Sequence, residues 1–171
     1  MYKLISKDVK RDYIALNNFH LFKKTLWFVI LFPSIFAVLG IIRIISTPED
    51  IFFTIPYFFI ALLFIPLVLL FNKIFMNSYL NKNKIYSQTT EVVLTLDEEK
   101  LTYVTHAQKS TTLLETEYSE VYRVYKSKGY LFLYVANNQA MIMPLSGVID
   151  ATESEVVSFL KTKLKEKFIE K

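Results

Sequence analysis

The residue types that could carry out chemistry are few and widely separated in this chain of 171 residues. His20 and His106 lie far apart, and neither has a second ligand at a spacing typical of metal sites. Ser110 follows His106 by four residues, but no acid is placed to orient a nucleophile and its base. A hairpin turn explains Ser110 better. The sequence therefore predicts no catalytic residue, no metal site and no enzyme.

Cofactor binding is not indicated either. The chain has no cysteine and three glycines, Gly40, Gly129 and Gly147, so a glycine-rich phosphate loop is excluded. The acidic run Asp97–Glu99 lacks the spacing of a calcium loop and is better explained as an exposed turn. We predict that the protein uses no cofactor.

Aromatic and basic side chains around one predicted hairpin remain as candidates for binding. The six candidates for contact with a protein or lipid partner are Tyr122, Lys126, Lys128, Tyr130, Phe132 and Tyr134. In an alternating strand Tyr130, Phe132 and Tyr134 share one face, which could bind a peptide or lipid. A strongly bent sheet could instead bury both faces, and this is the interpretation we favour. Lys126 and Lys128 at the tip could contact anionic lipid, although a solvated turn explains them equally well.

The elements that position these residues are strands. Apolar and polar residues alternate with period two from about residue 91, which predicts strands joined by turns short enough to force antiparallel neighbours. The predicted strands cover residues 91–96, 101–106, 111–116, 118–125, 130–135 and 139–145. The pair Asn137-Asn138 is a two-residue hairpin signal because Asn tolerates a positive φ.

A helix is predicted after the last strand. Thr152 and Glu155 match the capping-box pattern, and the residues that follow place Val156, Leu160, Leu164 and Phe168 on one apolar stripe. A bent antiparallel sheet or barrel of about six strands, capped by one carboxyl-terminal amphipathic helix, is the plan of a pleckstrin-homology-like (PH-like) domain. We assign this domain to residues 90–171.

Two apolar runs, 25–45 and 51–71, precede the strands and are separated by the short polar loop 46–50. At about 1.5 Å rise per residue, each run is long enough to cross the roughly 30 Å hydrocarbon layer of a bilayer. The sequence therefore predicts an α+β membrane protein, in which a two-helix transmembrane hairpin at 25–71 is followed by the PH-like domain.

Charge around the hairpin predicts its orientation. Segment 1–24, interpreted as an interfacial amphipathic helix with Ser6 as its cap, is rich in Lys and Arg. The predicted juxtamembrane segment 72–89, which we interpret as the end of the second helix followed by a short linker, carries only basic charges. The loop carries Glu49 and Asp50 and no base. Because Lys and Arg concentrate on cytoplasmic flanks, we expect both ends and the soluble domain in the cytoplasm, with the hairpin in the cell membrane.

Nucleic acid is not an expected partner. The net charge is +4, but the basic excess lies beside the hairpin, whereas residues 90–171 contain more acidic than basic side chains. The expected partners are the lipid bilayer and a protein of unknown identity, and the apolar spans leave room for a homo-oligomer.

Three short motifs carry a resemblance to a known family. They are Tyr118–Val124, Tyr130–Tyr134 and Ala140–Pro144, which resemble the aromatic-Ser-acid-Val step, the aromatic strand and the apolar run ending in Pro of the YcxB-like family. The likeness extends loosely over residues 6–145, including the Asp12-Tyr13 step. These family members are small bacterial membrane proteins, so the resemblance implies two spans and a soluble domain of this kind. It implies no catalytic residue.

Three functions fit these expectations. We favour a membrane-anchored, non-enzymatic binding or regulatory protein that presents its PH-like domain to a protein or lipid partner. The first alternative is an immunity protein that protects the cell against a secreted toxin or bacteriocin. The second is a small accessory subunit of a transporter or signalling complex.

Overall fold

The structure is a computed structural model that describes residues 1–82 and 89–170, without the side chains of Lys24, Thr25 and Asp50. It is an α+β fold with two long apolar helices and antiparallel sheets, as predicted. The chain forms two compact units. The helical unit is Asn17–Lys82, and the β unit combines Met1–Leu16 with the described part of Asn83–Lys171.

Two helices dominate the helical unit, α2 (Leu26–Ser46) and α3 (Ile51–Lys82), joined through a 3₁₀ turn at Pro48–Asp50. Both are long and apolar enough to cross a membrane, with a mean hydropathy of 2.5 in each. Only 11% of the apolar window of α2 and 6% of that of α3 is buried, unlike the core helix of a soluble protein. The two predicted apolar segments are therefore confirmed as helices.

The two helices pack through aromatic side chains. Phe32 stacks on Phe64 with ring centroids 4.5 Å apart. At Gly40 an added Cβ would lie 2.9 Å from the Phe58 ring, so the absence of a side chain lets the ring approach the α2 backbone. Large apolar side chains remain exposed along both helices, for example Ile45 of α2 at 75% and Phe52 of α3 at 79%.

The second long helix extends beyond the predicted span. α3 continues to Lys82, so Asn72 and the polar residues after it form the end of this helix, as predicted for the first part of segment 72–89. The Asn17 side-chain amide donates to Asn72 Oδ1 at 3.0 Å, which gives this polar position a partner. The rest of the predicted linker, residues 83–88, lies outside the described residues.

The amino-terminal segment differs from the single helix predicted for it. Tyr2–Ser6 form strand β1, and helix α1 covers Val9–His20 before a π-helical turn leads into α2. Ser6 is not the helix cap. Asp8 takes that role, because its Oδ1 accepts from the Arg11 backbone N–H at 3.2 Å. Leu4 and Ser6 are buried, whereas Ile5 between them is only partly buried. This period of two is that of a β-strand, whose buried face extends the first sheet.

The first sheet has the strand order β1-β2-β3-β4 and is antiparallel throughout. Its three other strands are β2 (Thr89–Leu96), β3 (Lys100–Ala107) and β4 (Ser110–Glu117). β1 pairs with β2 from Tyr2 opposite Leu96 to Ser6 opposite Val92. The chain therefore enters this sheet before the long helices and returns to it after them.

The second sheet has the order β7-β6-β5-β8. Its strands are β5 (Arg123–Ser127), β6 (Tyr130–Ala136), β7 (Gln139–Pro144) and β8 (Phe168–Glu170). Two features differ from the prediction: β5 begins only at Arg123, and β8 is an additional strand that runs parallel to β5. The pairing within the described residues gives two separate sheets and no closed barrel.

One helix, α4 (Glu153–Leu164), packs its apolar stripe into the core of the β unit, where Val156, Leu160 and Leu164 are buried. The predicted capping box is confirmed, with the Thr152 and Glu155 side chains each bonded to the other's backbone. α4 ends earlier than predicted. Lys165 adopts a positive φ of 49°, and Phe168 therefore belongs to β8 rather than to the helical stripe.

The turns of the second sheet use different backbone geometries. Lys128 and Gly129 connect β5 to β6 with φ values of 50° and 78°, a pattern typical of a two-residue type I′ hairpin. The predicted Asn137-Asn138 turn does connect β6 to β7, but neither Asn adopts a positive φ.

The loop after β7 depends on a glycine. A Cβ added at Gly147 would lie 2.1 Å from the Ile5 carbonyl oxygen in β1, a contact that backbone atoms can relieve only by moving apart. We expect Gly147→Ala to lower the free energy of unfolding by about 1–3 kcal/mol, measured by urea denaturation of the full chain in a mild detergent. Ser146→Ala, at the exposed neighbouring position, is the control and should change it by less than about 0.5 kcal/mol. Equal stability of the two variants would contradict the close approach.

Candidate functional site

The six residues predicted for partner contact do not form one exposed patch. Phe132 and Tyr134 are 2% and 1% exposed, and Leu131 and Leu133, which point to the other face, are fully buried, so both faces of β6 are packed. The Tyr134 ring meets Tyr125 edge to face at 5.6 Å between centroids. The alternative in which both faces are buried therefore describes this strand. Phe132 and Tyr134 are therefore core residues in this structure, and their contact with a partner stays a prediction.

The other four residues are scattered. Tyr122 is 44% exposed, and the Arg123 guanidinium lies 5.5 Å from its ring centroid. Lys126 forms an ion pair with Glu170 of β8 at 2.5 Å. Lys128 and Tyr130 differ from the rest because both line a cavity.

The residues first weighed for catalysis have structural roles. His106 Nδ1 lies 3.4 Å from the Thr111 hydroxyl, its partner across the β3–β4 register, and Ser110 pairs with Ala107 at the start of β4. In the acidic run, Glu98 forms an ion pair with Lys163 at 2.7 Å. These contacts are those of strand ends and turns.

A cavity of about 600 Å³ opens in the β unit. Its lining comes from four parts of the chain: the β1–α1 connection, the β5–β6 turn, the loop after β7 and the start of α4. The charged side chains of the lining are Lys7, Asp8, Arg11, Asp12, Lys128 and Glu153. This cavity is the candidate functional site, and its size lies in the range of small-ligand pockets.

Backbone contacts fix the walls of the cavity. Leu145 N–H donates to the Gly129 carbonyl at 2.8 Å, which joins the loop after β7 to the hairpin turn. Ile149 N–H donates to the Lys3 carbonyl at 3.1 Å, and Leu4 forms an isolated bridge with Val148. These bonds tie the loop to both sheets, so the cavity has a defined shape.

A buried carboxyl forms the floor. Asp12 is 4% exposed, and its Oδ2 accepts a hydrogen bond from the buried Ser6 hydroxyl. Burial raises the pKa of the Asp12 carboxyl, while the bond from Ser6 partly opposes this shift. The floor of the site is thus an acid that is easier to protonate than an exposed aspartate.

Tyr130 connects the floor to the rim. Its hydroxyl interacts with both the Asp12 carboxyl and the Arg11 guanidinium. Burial and the neighbouring Asp12 charge raise the pKa of Tyr130, so its hydroxyl stays protonated at neutral pH. Arg11, Asp12 and Tyr130 all line the cavity, and the charges of the first two act on the Tyr130 hydroxyl.

The chemistry of this site suits binding. The Ser6 hydroxyl donates to the Asp12 carboxyl, and both described histidines lie outside the cavity lining. No group of three or more His, Asp or Glu side chains that could hold a metal ion occurs among the searched residues 1–82 and 89–170. The lining offers charged and hydroxyl groups that can hold a polar ligand.

Most residues of this cavity were missed from the sequence. Lys128 and Tyr130 were candidates, but Ser6, Asp12 and Glu153 were assigned only to helices, caps or a short motif. The alternation within Tyr2–Ser6 was the available signal, since it marks a strand that ends beside Asp12. Which turns meet this strand depends on sheet pairing and has no local signal.

The comparisons with known proteins agree with the motifs of the second sheet. A family model described as YcxB-like protein matches residues 96–160, from the end of β2 into α4, and confirms the predicted resemblance to this family. The match covers less than half of the chain and leaves out the looser likeness before residue 96. No curated protein and no solved structure matches the chain.

Asp12 should make stability depend on pH. Because its pKa is raised from 3.8 in the folded chain, the folded state binds more protons than the unfolded state above that pH. The free energy of unfolding should then fall as pH rises through this window. We expect the wild type to lose stability relative to Asp12→Asn between about pH 4 and neutrality, measured by urea denaturation of the full chain in detergent. Exposed Asp150→Asn is the control, and parallel curves for wild type and Asp12→Asn would refute this role.

Glu170 should have the opposite dependence. Hydrogen bonds from Lys126 and Lys161 lower the pKa of Glu170 to about 2, so its stabilising contribution is present above 4.5 and is lost as pH falls toward 2. We expect Glu170→Gln to lower the melting temperature at pH 7, with a difference that shrinks below pH 4.5 and in high salt. Glu166→Gln, an exposed change in the adjoining turn, is the control. A difference that persists at low pH would rule out the ion pairs as its cause.

Proposed function

We propose that this protein is a membrane-anchored, non-enzymatic binding protein, whose β unit is a PH-like domain that recognises a protein or lipid partner in the cytoplasm. The observation that carries the binding function is the cavity between β1, the β5–β6 turn and α4, because its lining has six charged side chains, one of which is the buried carboxyl of Asp12. Charged and hydroxyl side chains around a cavity of this size can bind a polar ligand, and binding alone requires no pair of nucleophile and base.

Anchoring is supported by the surface of α2 and α3. Large apolar side chains cover both helices and stay exposed, a pattern that is costly in water and favourable in lipid. α2 has 21 residues, and the apolar part of α3 has a comparable length, which fits the roughly 30 Å core of a bilayer.

The sheet pairing supports the proposed orientation. β1 precedes the two helices, β2 follows them, and the two strands pair over five residues. Both flanks of the hairpin would therefore lie on one side of any bilayer that it spans. Basic residues in these flanks favour the cytoplasmic side of the cell membrane.

The PH-like assignment draws support from the layers of the β unit. Two four-stranded sheets share one apolar core, and α4 packs against that core from the carboxyl-terminal end. In this proposal β1 and β8 are additions to a predicted six-strand plan.

A second candidate function has one observation in its favour. An apolar groove of about 700 Å³ runs between α2 and α3, with Pro33, Ala37 and Phe58 among its lining residues. A groove of this kind could hold a helix of a larger complex or of a second copy, as an accessory subunit would require. The immunity hypothesis stays a prediction, tested by its gene neighbours and by killing assays.

Site-specific photo-crosslinking in cells tests the function. A photoreactive amino acid placed at Ser146, an exposed residue of the cavity lining, should crosslink a partner in the membrane fraction. The same residue at Lys109, in the exposed β3–β4 turn outside the cavity, should give no adduct. The measurement is the adduct mass after membrane isolation and alkaline washing.

The outcomes separate the alternatives. Recovery of the chain in the soluble fraction would refute the anchor. Absence of an adduct at Ser146 would refute binding at the cavity, and an adduct from Ala37 in the groove without one at Ser146 would favour the accessory subunit.

A further inference from the structure

The rim of the cavity carries two charged groups of opposite sign that lack partners. Among the described residues, neither the Lys7 ammonium nor the Glu153 carboxylate forms a hydrogen bond or ion pair, and both side chains are exposed. We propose that the cavity binds a small zwitterion, a molecule with one acidic group and one primary ammonium group. This inference deepens the proposed binding function and rests on it.

The remaining charges are already engaged within the chain. Asp8 caps α1 through the Arg11 backbone, and Asp12 accepts from Ser6. The Arg11 guanidinium and Asp12 both interact with the Tyr130 hydroxyl, and Lys128 has an interaction of its own. A ligand therefore gains most from Lys7 and Glu153, whose hydrogen-bonding capacity is unused by the described residues.

The charge balance of the lining favours a ligand with both signs. Three cations, Lys7, Arg11 and Lys128, face three acids, Asp8, Asp12 and Glu153, so the formal charges cancel at neutral pH. A simple anion would be attracted by Lys7 but repelled by the three acids. A simple cation would be attracted by Glu153 but repelled by the three basic side chains. A zwitterion can satisfy both free groups through charge-assisted hydrogen bonds.

The shape of the site limits the size of the ligand. A cavity of about 600 Å³ accommodates a small molecule or one lipid headgroup. A primary ammonium is preferred over a quaternary one, because only N–H groups can donate hydrogen bonds to Glu153. Phosphoethanolamine has the required chemistry, either as a free molecule or as the headgroup of a phospholipid.

Calorimetric titration of the full chain in nonionic detergent tests this inference. O-phosphoethanolamine should bind at least tenfold more tightly than inorganic phosphate, ethanolamine or phosphocholine. Lys7→Gln and Glu153→Gln should each weaken binding roughly three- to tenfold, the range expected for one charge-assisted contact. The matched controls are Lys10→Gln and Glu166→Gln, exposed changes outside the cavity, and they should leave binding unchanged.

Nanodiscs distinguish the two sources of the ligand. Binding of O-phosphoethanolamine is compared in nanodiscs of pure phosphatidylcholine and in nanodiscs that also contain phosphatidylethanolamine. If phosphatidylethanolamine suppresses binding of this soluble probe, the lipid headgroup itself reaches the cavity. If the probe binds equally well in both kinds of disc, the ligand is a free molecule. Either result supports zwitterion recognition.

Other results would overturn the inference while leaving the proposed function open to its own test. Equal affinity for phosphate and O-phosphoethanolamine would identify an anion site, and unchanged binding by Lys7→Gln and Glu153→Gln would place the zwitterion elsewhere. Absence of binding by all four probes would refute zwitterion recognition. The Ser146 adduct then decides separately whether the cavity binds a partner.

Discussion

The pairing of β1 with β2 is the constraint on which the rest of this structure depends. It joins residues that precede the two apolar helices to residues that follow them, from Tyr2–Leu96 to Ser6–Val92. Because β1 also bonds to the loop after β7, the same strand shapes the cavity wall and brings Ser6 to Asp12. One short edge strand thus couples chain topology, the buried carboxyl and the proposed orientation in a bilayer.

Burial on both faces of β6 moves the candidate site to the edge of its sheet. Leu131 and Leu133 belong to the main core, whereas Phe132 and Tyr134 are buried on the opposite face. A large buried side chain contributes about 1.5–3 kcal/mol through removal from water, so this strand is better suited to stability than to recognition. The charged side chains lie instead around the cavity, where strand ends, turns and the start of α4 meet.

The elements that could be predicted from sequence are those with a local physical signal. The apolar runs, the alternating strands between residues 91 and 144 and the Thr152–Glu155 capping box each express a periodicity or a cap within a few residues. Boundaries were less accurate where a turn replaces the start of a predicted strand, as at Tyr118–Glu120 before Arg123. Of the candidate site, Lys128 and Tyr130 were among the six predicted partner contacts.

By itself, the sequence determined the hairpin of apolar helices, the antiparallel meander and the covering helix, since hydrophobic pattern and turn chemistry act between near neighbours. Tertiary structure alone decided that Tyr2–Ser6 and Phe168–Glu170 become edge strands, and that Asp12, Lys7 and Glu153 line one cavity. Strand pairing across most of the chain length is set by burial of a shared core. No window of neighbouring residues contains that information.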